Sequence, residues 1–400
     1  MTQVIAVIGG QWGDEGKGKI VDFLSEDADY CIRFQGGSNA GHTIIFNGNT
    51  YKLRLMPSGV LRGAKGVLGA GMAINLDVLK TEFDMLRDMV GFEEATKRVM
   101  IDHRAHLILP AHIQVDTKRE EKSNNRIGTT RNGIGVCYED KARRIGLRVG
   151  DLLDPSTWEE KCKLIGESHW KEAEEFKEKI ANDIMMKLNQ WRSDWIPYIY
   201  TNLSERLHEA MNGGAEKVII EGAQGTFLDI SHGTYPFVTS STTIAGGISA
   251  GIGCALPRDV EIIGVVKAYC TRVGSGPFGL EDTGELGEKL RTKGGEFGVV
   301  TGRARRCGWN SLSMLKHAHI LNGFTSLALT KVDILDGFSE VKIGLDEGFE
   351  FFEGWDNSAG VQDYAKLHDN LKAYIDYINE NVAPVSIVST GADREDTIFV

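Results

Sequence analysis

The chain has 400 residues, a length that allows one large domain or two to three ordinary ones. Apolar residues make up 42% and charged residues 25%, as in ordinary soluble globular proteins. The formal net charge of −11 argues against nucleic acid or a membrane surface as a partner, because both favour a basic protein face. Small anionic ligands stay possible, since local basic clusters can bind them.

The cysteines and the N-terminus indicate the compartment. The six cysteines are scattered without a C-x-x-C pair, which is typical of reduced thiols rather than of a disulfide framework or a zinc site. The opening MTQVIAVIGG lacks a basic start and its apolar run is short, so we predict no signal peptide. No run approaches the roughly 20 apolar residues of a membrane helix. We therefore expect a cytoplasmic protein.

In chain order, short apolar strands alternate with helical patterns. The first elements are a strand, a helix, a second strand, a hairpin around Asn47-Gly48 and a capped amphipathic helix, in QVIAVIGG, KGKIVDFLSE, DYCIRF, TIIFNGNTYKL and NLDVLKTEFDMLRDMV. Further strands are predicted for EKVIIEG, VEIIGVVKAYCTRV, SLALTKVD and PVSIVSTG, and a late helix for VQDYAKLHDNLKAYIDYINEN. This alternation predicts an α/β fold with a largely parallel central sheet.

The domain organisation follows from what interrupts this pattern. Residues 155–195 are charged, helical in pattern and free of glycine clusters, so we expect a peripheral helical excursion there. No internal repeat or low-complexity linker is found. We predict a single large domain over residues 1–400, built on a mostly parallel sheet with a glycine-rich loop similar to a P-loop.

The 48 glycines concentrate in clusters interleaved with Thr, Asn and Arg, such as GGSNAGH, EGAQGT and KGGEFGVVTG. Any one cluster is typical of a turn. Because glycine lets the backbone approach a ligand closely, so many clusters together indicate several loops that converge on a phosphate-bearing ligand.

The loop GGQWGDEGKGK directly follows the first strand. It is not a Walker A loop, because residues 10–16 are one residue too long and Gly18 stands where a magnesium-binding hydroxyl belongs. Backbone amides, a helix N-terminus and Lys17 still suit phosphate oxygens. Asp14 would repel phosphate unless it binds a metal or takes a proton from a substrate; the alternative is a carboxylate that caps the helix.

Two further motifs suit a nucleotide. SNAGHT places His42 at a strand start behind Gly41, where it can donate a hydrogen bond to developing negative charge, although a lone histidine there is usually structural. SLALTKVD ends in Thr-Lys-x-Asp, which resembles the guanine-reading element of GTP-binding proteins. Asp333 would accept from the guanine N1–H and 2-amino group, and the stem of Lys331 would cover the base.

Eight stretches together strongly resemble the adenylosuccinate synthetase family, in the order of that family. They are GQWGDEGKGK, RFQGGSNAGHT, GIGVCYEDKARR, EGAQGTFLDISHGTYPFVTSS, TRVGSGPF, TGRARRCGW, LTKVDILDG and VSTG. The likeness runs nearly end to end and is weakest over 155–195. It implies a ligase that condenses IMP with L-aspartate, driven by hydrolysis of GTP to GDP and phosphate, with Mg²⁺ as cofactor.

The resemblance also implies how the reaction proceeds. Asp14 takes the N1 proton of IMP, the 6-oxygen attacks the γ-phosphorus of GTP, and His42 stabilises the charge on the transferring group. Mg²⁺ is held by Asp14 and the carbonyl of Gly41, and Lys17 completes the clamp with the loop amides. The aspartate amine then displaces phosphate from 6-phosphoryl-IMP. Gln224 lies near the purine edge and counts with Asp14, His42 and Lys17 as catalytic.

Ligand-binding positions carry over one by one from the same resemblance. The positions for IMP or aspartate are Asn39, Thr130, Arg144, Gln224, Thr239, Val273, Thr301 and Arg303. The positions for GTP are Gly13, Glu15, Gly16, Lys17, Gly18, Gly41, His42, Thr43, Arg305, Lys331, Asp333, Ser389 and Gly391. Arg144 matches an arginine that reaches the IMP phosphate of the neighbouring subunit, which implies a homodimer.

The chain departs from the family pattern at three places. TTRNG replaces the usual T-T-G-R-G, so Arg131 stands for glycine and Asn132 for arginine; Val300 replaces a frequent threonine and Ala70 a common asparagine. The first two departures border the nucleotide and aspartate pockets. They leave open whether the purine substrate is IMP or (d)GMP.

Two alternatives therefore accompany this interpretation. One is a synthetase of the same fold that uses (d)GMP, as in phage pathways to 2-aminoadenine nucleotides; several of those enzymes carry serine at the position of Asp14, which disfavours it. The other is a GTP-binding switch protein without ligase activity. That class needs Ser or Thr after the loop lysine, where this chain has Gly18.

Overall fold

A large central sheet organises the fold. The structure, a computed structural model, describes residues 2–46, 48–122, 128–169, 174–298 and 302–400, and for 174–180 the backbone alone. The described strands are β1 (Gln3–Gly9), β2 (Tyr30–Arg33), β3 (His42–Phe46), β4 (Asn49–Leu53), β5 (Lys65–Leu68), β6 (Ala73–Ile74), β7 (Val99–Asp102), β8 (His106–Leu107), β9 (Ile199–Tyr200), β10 (Lys217–Glu221), β11 (Glu261–Lys267), β12 (Cys270–Arg272), β13 (Arg306–Gly308), β14 (Asn310–Ser311), β15 (Ser326–Thr330), β16 (Glu340–Gly344), β17 (Phe349–Glu353), β18 (Val385–Ser389) and β19 (Thr397–Phe399).

The central sheet has ten of these strands in the order β19-β18-β15-β11-β1-β10-β2-β5-β7-β9. Neighbouring strands are parallel except β18 and β19. β1 lies at the centre, where its Ala6 is opposite Ile220 on one side and Ile262 on the other. Because the chain continues to both sides of β1, the loop after this strand lies at a topological switch point, where open α/β sheets bind ligands. The predicted mostly parallel sheet is confirmed.

Helices cover both faces of the sheet. They are α1 (Lys17–Leu24), α2 (Leu76–Val90), α3 (Phe92–Lys97), α4 (Pro110–Lys122), α5 (Ile134–Arg143), α6 (Trp158–His169), α7 (Glu174–Trp195), α8 (Leu203–Glu209), α9 (Ile248–Ile252), α10 (Glu285–Gly294), α11 (Leu312–Asn322) and α12 (Asp369–Asn381). Asn75 caps α2 as its pattern predicts, since its side-chain oxygen accepts the N–H groups of Asp77 and Val78. Within the described residues, no helix is long and apolar enough to cross a membrane.

The predicted hairpin is present, because β3 and β4 pair antiparallel from His42 with Leu53 to Phe46 with Asn49. Its turn residue Asn47 lies outside the described residues.

Two element boundaries differ from the prediction. VEIIGVVKAYCTRV forms two strands instead of one, because the carbonyl of Tyr269 accepts a hydrogen bond from the side chain of Gln11 and the chain then pairs with β13 in a separate ribbon. The late helix begins at Asp369 rather than near residue 361. His368 fixes this start, since its Nδ1 accepts the N–H of Asn370.

The stretch 155–195 contains α6 and α7. Their indoles Trp158, Trp191 and Trp195 are buried in a second apolar cluster, separate from the main core beside the sheet. Phe83 of α2 contacts Trp195 edge to face, with 6.0 Å between ring centroids. These helices therefore pack on the rest of the domain through large aromatic side chains.

Candidate active site

A cavity of about 860 Å³ opens beside the switch point. Its walls are loops that follow β1, β10, β15 and β18, four strands of the central sheet whose carboxyl ends lie at one edge. Most residues that the sequence assigns to ligands line it: Gly13, Asp14, Gly16, Lys17, Gly18, Asn39, Gly41, His42, Thr43, Thr130, Gln224, Thr239, Val273, Arg303, Arg305, Lys331, Asp333, Ser389 and Gly391.

Two assigned residues among those described do not line the cavity. Glu15 is fully buried under the loop, and Arg144 is exposed at the end of α5, away from the cavity. Thr301 lies outside the described residues, as does the departure at Val300.

Glu15 organises the loop that follows β1, residues 9–19, which we call the phosphate loop. One carboxylate oxygen accepts the N–H groups of Gly13 at 2.8 Å and Gln11 at 3.1 Å, and the other lies 2.5 Å from the Nζ of Lys17. The backbone carbonyl of Glu15 accepts the hydroxyl of Thr330, at the end of β15. The buried carboxylate therefore holds the lysine and the loop backbone in place, and the assignment of Glu15 to the GTP site stays a prediction.

Asp14 faces the cavity with about a third of its side chain exposed. Its φ of 59° is in the left-handed region. The helix-capping alternative is wrong, because the N-cap of α1 is Gly16 and no side chain caps the helix. The Nε of Arg305 lies 2.9 Å from an Asp14 oxygen, an ion pair in which the N–H is not aligned as a hydrogen bond.

His42 is buried and its Nδ1 contacts the carboxylate of Glu221 at the end of β10. Ser58 donates its backbone N–H and its hydroxyl to the same carboxylate, at 2.7 and 3.1 Å. Burial alone would raise the pKa of Glu221, but the neighbouring His42 and Arg33 outweigh burial and lower it. Glu221 thus fixes the hydrogen on Nδ1 and leaves Nε2 as the nitrogen that can serve a ligand.

Gln224 follows β10 and has a left-handed backbone, with φ 58°. Both ends of its side-chain amide are buried without a hydrogen-bond partner among the described residues. Buried polar atoms are rarely left unpaired, so this amide is suited to a ligand with both a donor and an acceptor. Nearby, the amide of Asn39 donates to the hydroxyl of Thr239 at 3.3 Å.

Four further residues from the loops after β15 and β18 line the cavity: Lys331, Asp333, Ser389 and Gly391. Burial raises the pKa of Asp333. Lys19, which sequence reasoning missed, lies between these elements. Its Nζ donates to the hydroxyl of Ser389 and to the carbonyls of Gly391 and Asp396, each at 2.8 Å. This lysine ties the loop after β18 to the helix that follows the phosphate loop.

The departures near residue 131 point away from the cavity. Arg131 takes the place of a glycine with φ 54°, and its guanidinium contacts Glu121 at 3.4 Å. Asn132 donates to the carbonyl of Ser38 at 3.5 Å. Neither side chain lines the cavity, whereas the adjacent Thr130 does.

Among the described residues, one group has the composition of a metal centre: His112, Asp140 and His169. Its hydrogen bonds exclude that role. The Nδ1 of His112 accepts the N–H of Leu109, so its proton is on Nε2, which is directed at Asp140 at 3.1 Å and cannot bind a cation. His169 contacts the other Asp140 oxygen at 2.8 Å. Burial opposes the charge, yet the two imidazoles lower the pKa of Asp140 to about 2.

Comparisons with known proteins support a common origin. The family model for adenylosuccinate synthetase matches residues 6–347. An adenylosuccinate synthetase of Desulforapulum autotrophicum is 44% identical over 99% of this chain and 98% of its own length. The solved structure of fully ligated adenylosuccinate synthetase from Plasmodium falciparum has a TM-score of 0.89 and 35% identity, with 100% of each chain covered.

A phage protein shares the fold. The succinoaminodeoxyadenylate synthetase of cyanophage S-2L, solved with dGMP and dATP, has a TM-score of 0.67 at 19% identity, covering 100% of this chain and 95% of its own. This likeness shows the fold alone.

Proposed function

This chain belongs to the adenylosuccinate synthetase family, and from that membership we propose how its cavity joins IMP to L-aspartate with hydrolysis of GTP. The predicted family, fold and reaction class are confirmed, and neither the (d)GMP enzyme nor the GTP switch is favoured. One observation carries the residue roles that follow. Asp14, His42 and Gln224, far apart in the sequence, line one cavity beside the phosphate loop.

The chemistry begins at the purine. The 6-oxygen of IMP is a poor nucleophile while N1 is protonated. Asp14 takes that proton as general base, the freed oxygen attacks the γ-phosphorus of GTP, and GDP leaves. The side-chain amide of Gln224 pairs with the purine edge, which satisfies the donor and the acceptor that are otherwise buried without partners. The aspartate amine then displaces phosphate from carbon 6.

His42 acts on the transferring phosphoryl group. With Nδ1 held by the buried carboxylate of Glu221, the ring donates from Nε2 to the oxygens on which negative charge accumulates. Lys17 and the loop amides, which Glu15 arranges, bind the phosphates of GTP.

The residues present suit Mg²⁺, which prefers oxygen ligands. Asp14 and Gly41 line the same cavity, so the Asp14 carboxylate and the Gly41 carbonyl are the ligands that we propose for the ion. When bound, Mg²⁺ supplies positive charge that neutralises phosphate oxygens beside the Asp14 carboxylate.

We also propose a homodimer in which Arg144 binds the IMP phosphate of the partner. Two observations support this. Arg144 is exposed at the C-terminal end of α5 and does not line the cavity of its own chain. Its φ of 64° directs the chain out of the helix at that residue. In this proposal a second chain brings the guanidinium of Arg144 to the phosphate.

We propose the cytoplasm as the compartment. All six cysteines are free thiols, and five of them are buried, as expected for a reducing environment. Fractionation of cells that express a tagged chain measures this directly.

The test of the function measures phosphate release and product formation from GTP. The purified protein is given IMP, dGMP or neither, each with and without L-aspartate. We expect sustained turnover and adenylosuccinate with IMP and aspartate together. Turnover with dGMP at a similar rate would assign the chain to the phage-type reaction, and GTP hydrolysis that ignores both co-substrates would assign it to a switch protein.

A further inference from the structure

A buried carboxylate lies directly behind the cavity. Glu296 follows α10 and is fully buried. Its oxygens lie 3.1 Å from the Nζ of Lys267 and 2.5 Å from an Nη of Arg305, and the hydroxyl of Tyr269 donates to it. The Nζ of Lys331 is 3.6 Å away. One carboxylate thus contacts three cations and a phenol from separate parts of the chain.

The partners divide into two kinds. Lys267 and Tyr269 are buried at the end of β11 and in the turn after it, beneath the cavity. Arg305 and Lys331 line the cavity. Glu296 itself does not line it, so this carboxylate acts on a ligand only through those two cations.

The proposed function assigns Arg305 and Lys331 to different parts of the GTP molecule. Arg305 reaches the reacting end, since its Nε lies 2.9 Å from Asp14. Lys331 precedes the guanine-reading Asp333 by two residues and donates to the carbonyl of Gly294 at 2.7 Å. Among the described residues, the carboxylate of Glu296 contacts both cations.

The charge on Glu296 is secure. Burial favours the neutral acid, but Lys267, Lys331 and Arg305 outweigh it and hold the pKa of Glu296 well below its ordinary value. The backbone also links Glu296 to Arg305, because the carbonyl of Glu296 accepts the N–H of Arg305 at 2.9 Å.

We propose that Glu296 is a positioning residue, which fixes Arg305 at the phosphoryl-transfer end and Lys331 at the base end of the GTP site in one arrangement. The proposal rests on the proposed function. Without the carboxylate, two long cationic side chains lose their common anchor, and each gains rotamers that do not serve the nucleotide. Because a displacement of about 1 Å can cost about 100-fold in rate, loss of this anchor is expected to reach the chemical step.

The test compares three variants of the full-length enzyme. Glu296→Gln removes the anchor but leaves the buried charge of Lys267 with the hydroxyl of Thr271 and no carboxylate, which destabilises the fold. Lys267→Met with Glu296→Gln removes both buried charges, so the chain stays folded while Arg305 and Lys331 remain without the carboxylate. Lys267→Met alone is the matched control, because it keeps Glu296 with its two cavity-lining partners. Thermal unfolding, kcat and the KM of each substrate are measured for all.

We expect the double variant to melt close to the parent temperature with kcat lower by about 100-fold. Its KM for GTP is expected to rise by about tenfold, as for a lost charge-assisted hydrogen bond, while the KM for IMP stays within about threefold. The control should keep parent kinetics. A folded double variant with parent kcat and parent KM for GTP would overturn the proposal, and so would equal rises in the KM values of GTP and IMP. A parent protein that fails to ligate IMP and aspartate would overturn the proposed function instead.

Discussion

A Cβ atom added to Gly18 would lie 2.7 Å from the Cβ of His42, closer than real side chains approach. His42 can therefore pack against α1 only because residue 18 has no side chain. This contact gives a physical reason why the loop lacks the hydroxyl of a Walker A sequence. The start of β3, which carries His42, fills the space that a serine side chain at residue 18 would occupy.

Gly18→Ser should therefore lower activity, although it makes the loop more similar to a Walker A sequence. We expect kcat to fall by about 100-fold, because the added atoms displace His42. Gly279→Ser is the control, since a Cβ there meets no atom within 4 Å. Initial rates with saturating GTP, IMP and aspartate measure both. A variant that keeps parent kcat would show that the position of His42 is not critical.

Asp14→Asn should stop the reaction while leaving the fold intact. The amide cannot take the N1 proton, so turnover should fall by about 10²–10⁴-fold. The side chain is partly exposed and anchors no backbone group among the described residues, so thermal unfolding should not change. Asp88→Asn on the exposed face of α2 is the control. Near-normal turnover of the Asp14 variant would contradict its assignment as the base.

Arg144→Leu tests the composite site. This variant should raise the KM for IMP far more than the KM for GTP. Mixed with Asp14→Asn, it should regain up to about a quarter of parent activity, because half of the dimers are mixed and each has one intact site. Arg143→Leu, one residue earlier and also exposed, is the matched control and should behave as the parent. A monomer that is fully active at the assay concentration would refute the role of Arg144 in the partner's site.

Asp333→Asn tests the choice of nucleotide. Guanine offers N1–H and the 2-amino group to the carboxylate, whereas adenine would leave it facing a lone pair. This difference should give the parent a preference for GTP over ATP of about 100-fold or more. The variant should bind GTP more weakly and xanthosine triphosphate more tightly, because the 2-oxo group of xanthine accepts from the new amide donor. Initial rates with the three nucleotides test this selection. Equal rates with ATP and GTP in the parent would contradict the assignment of Asp333 to guanine recognition.

Stability should depend on pH through His106. Burial, with the charges of Lys141 and Arg148, lowers the pKa of His106 from 6.5 to about 3. Between these values the unfolded chain binds a proton that the folded chain does not, so the free energy of unfolding falls as the pH falls. The loss is about 1.4 kcal/mol per pH unit. In His106→Gln, the free energy of unfolding measured with denaturant should change less between pH 6 and pH 4 than in the parent. His208→Gln, at an exposed site, should keep the pH dependence of the parent.

The sequence predicts those parts of the site that local patterns encode. The phosphate loop, His42 and the Thr330–Asp333 element each directly follow a strand or start one, so their place at one sheet edge follows from a parallel sheet. The buried position of the Glu15 carboxylate was not predicted, because a short sequence pattern does not distinguish a carboxylate that contacts a ligand from one that binds the backbone of its own loop.

Other parts of the site depend on which strands become neighbours. Glu221 ends β10 of the central sheet and His42 begins β3 of a separate hairpin, and the two side chains meet although about 180 residues separate them in the chain. Glu296 and Lys267 meet across two elements in the same way. A single glutamate within a glycine-rich stretch carries no periodic signal, so such pairs emerge only from the assembled topology.

Trimming loops and helices is a common route to a smaller catalyst, and residues 155–195 offer no side chain to the cavity among those the structure describes. Even so, α6 and α7 are poor candidates for deletion. Their removal would uncover the apolar surface now covered by three indoles, and Asp140 would keep one imidazole where it now has two. A smaller version of this enzyme would need a redesigned surface on α2, α4 and α5 before residues 155–195 could be deleted.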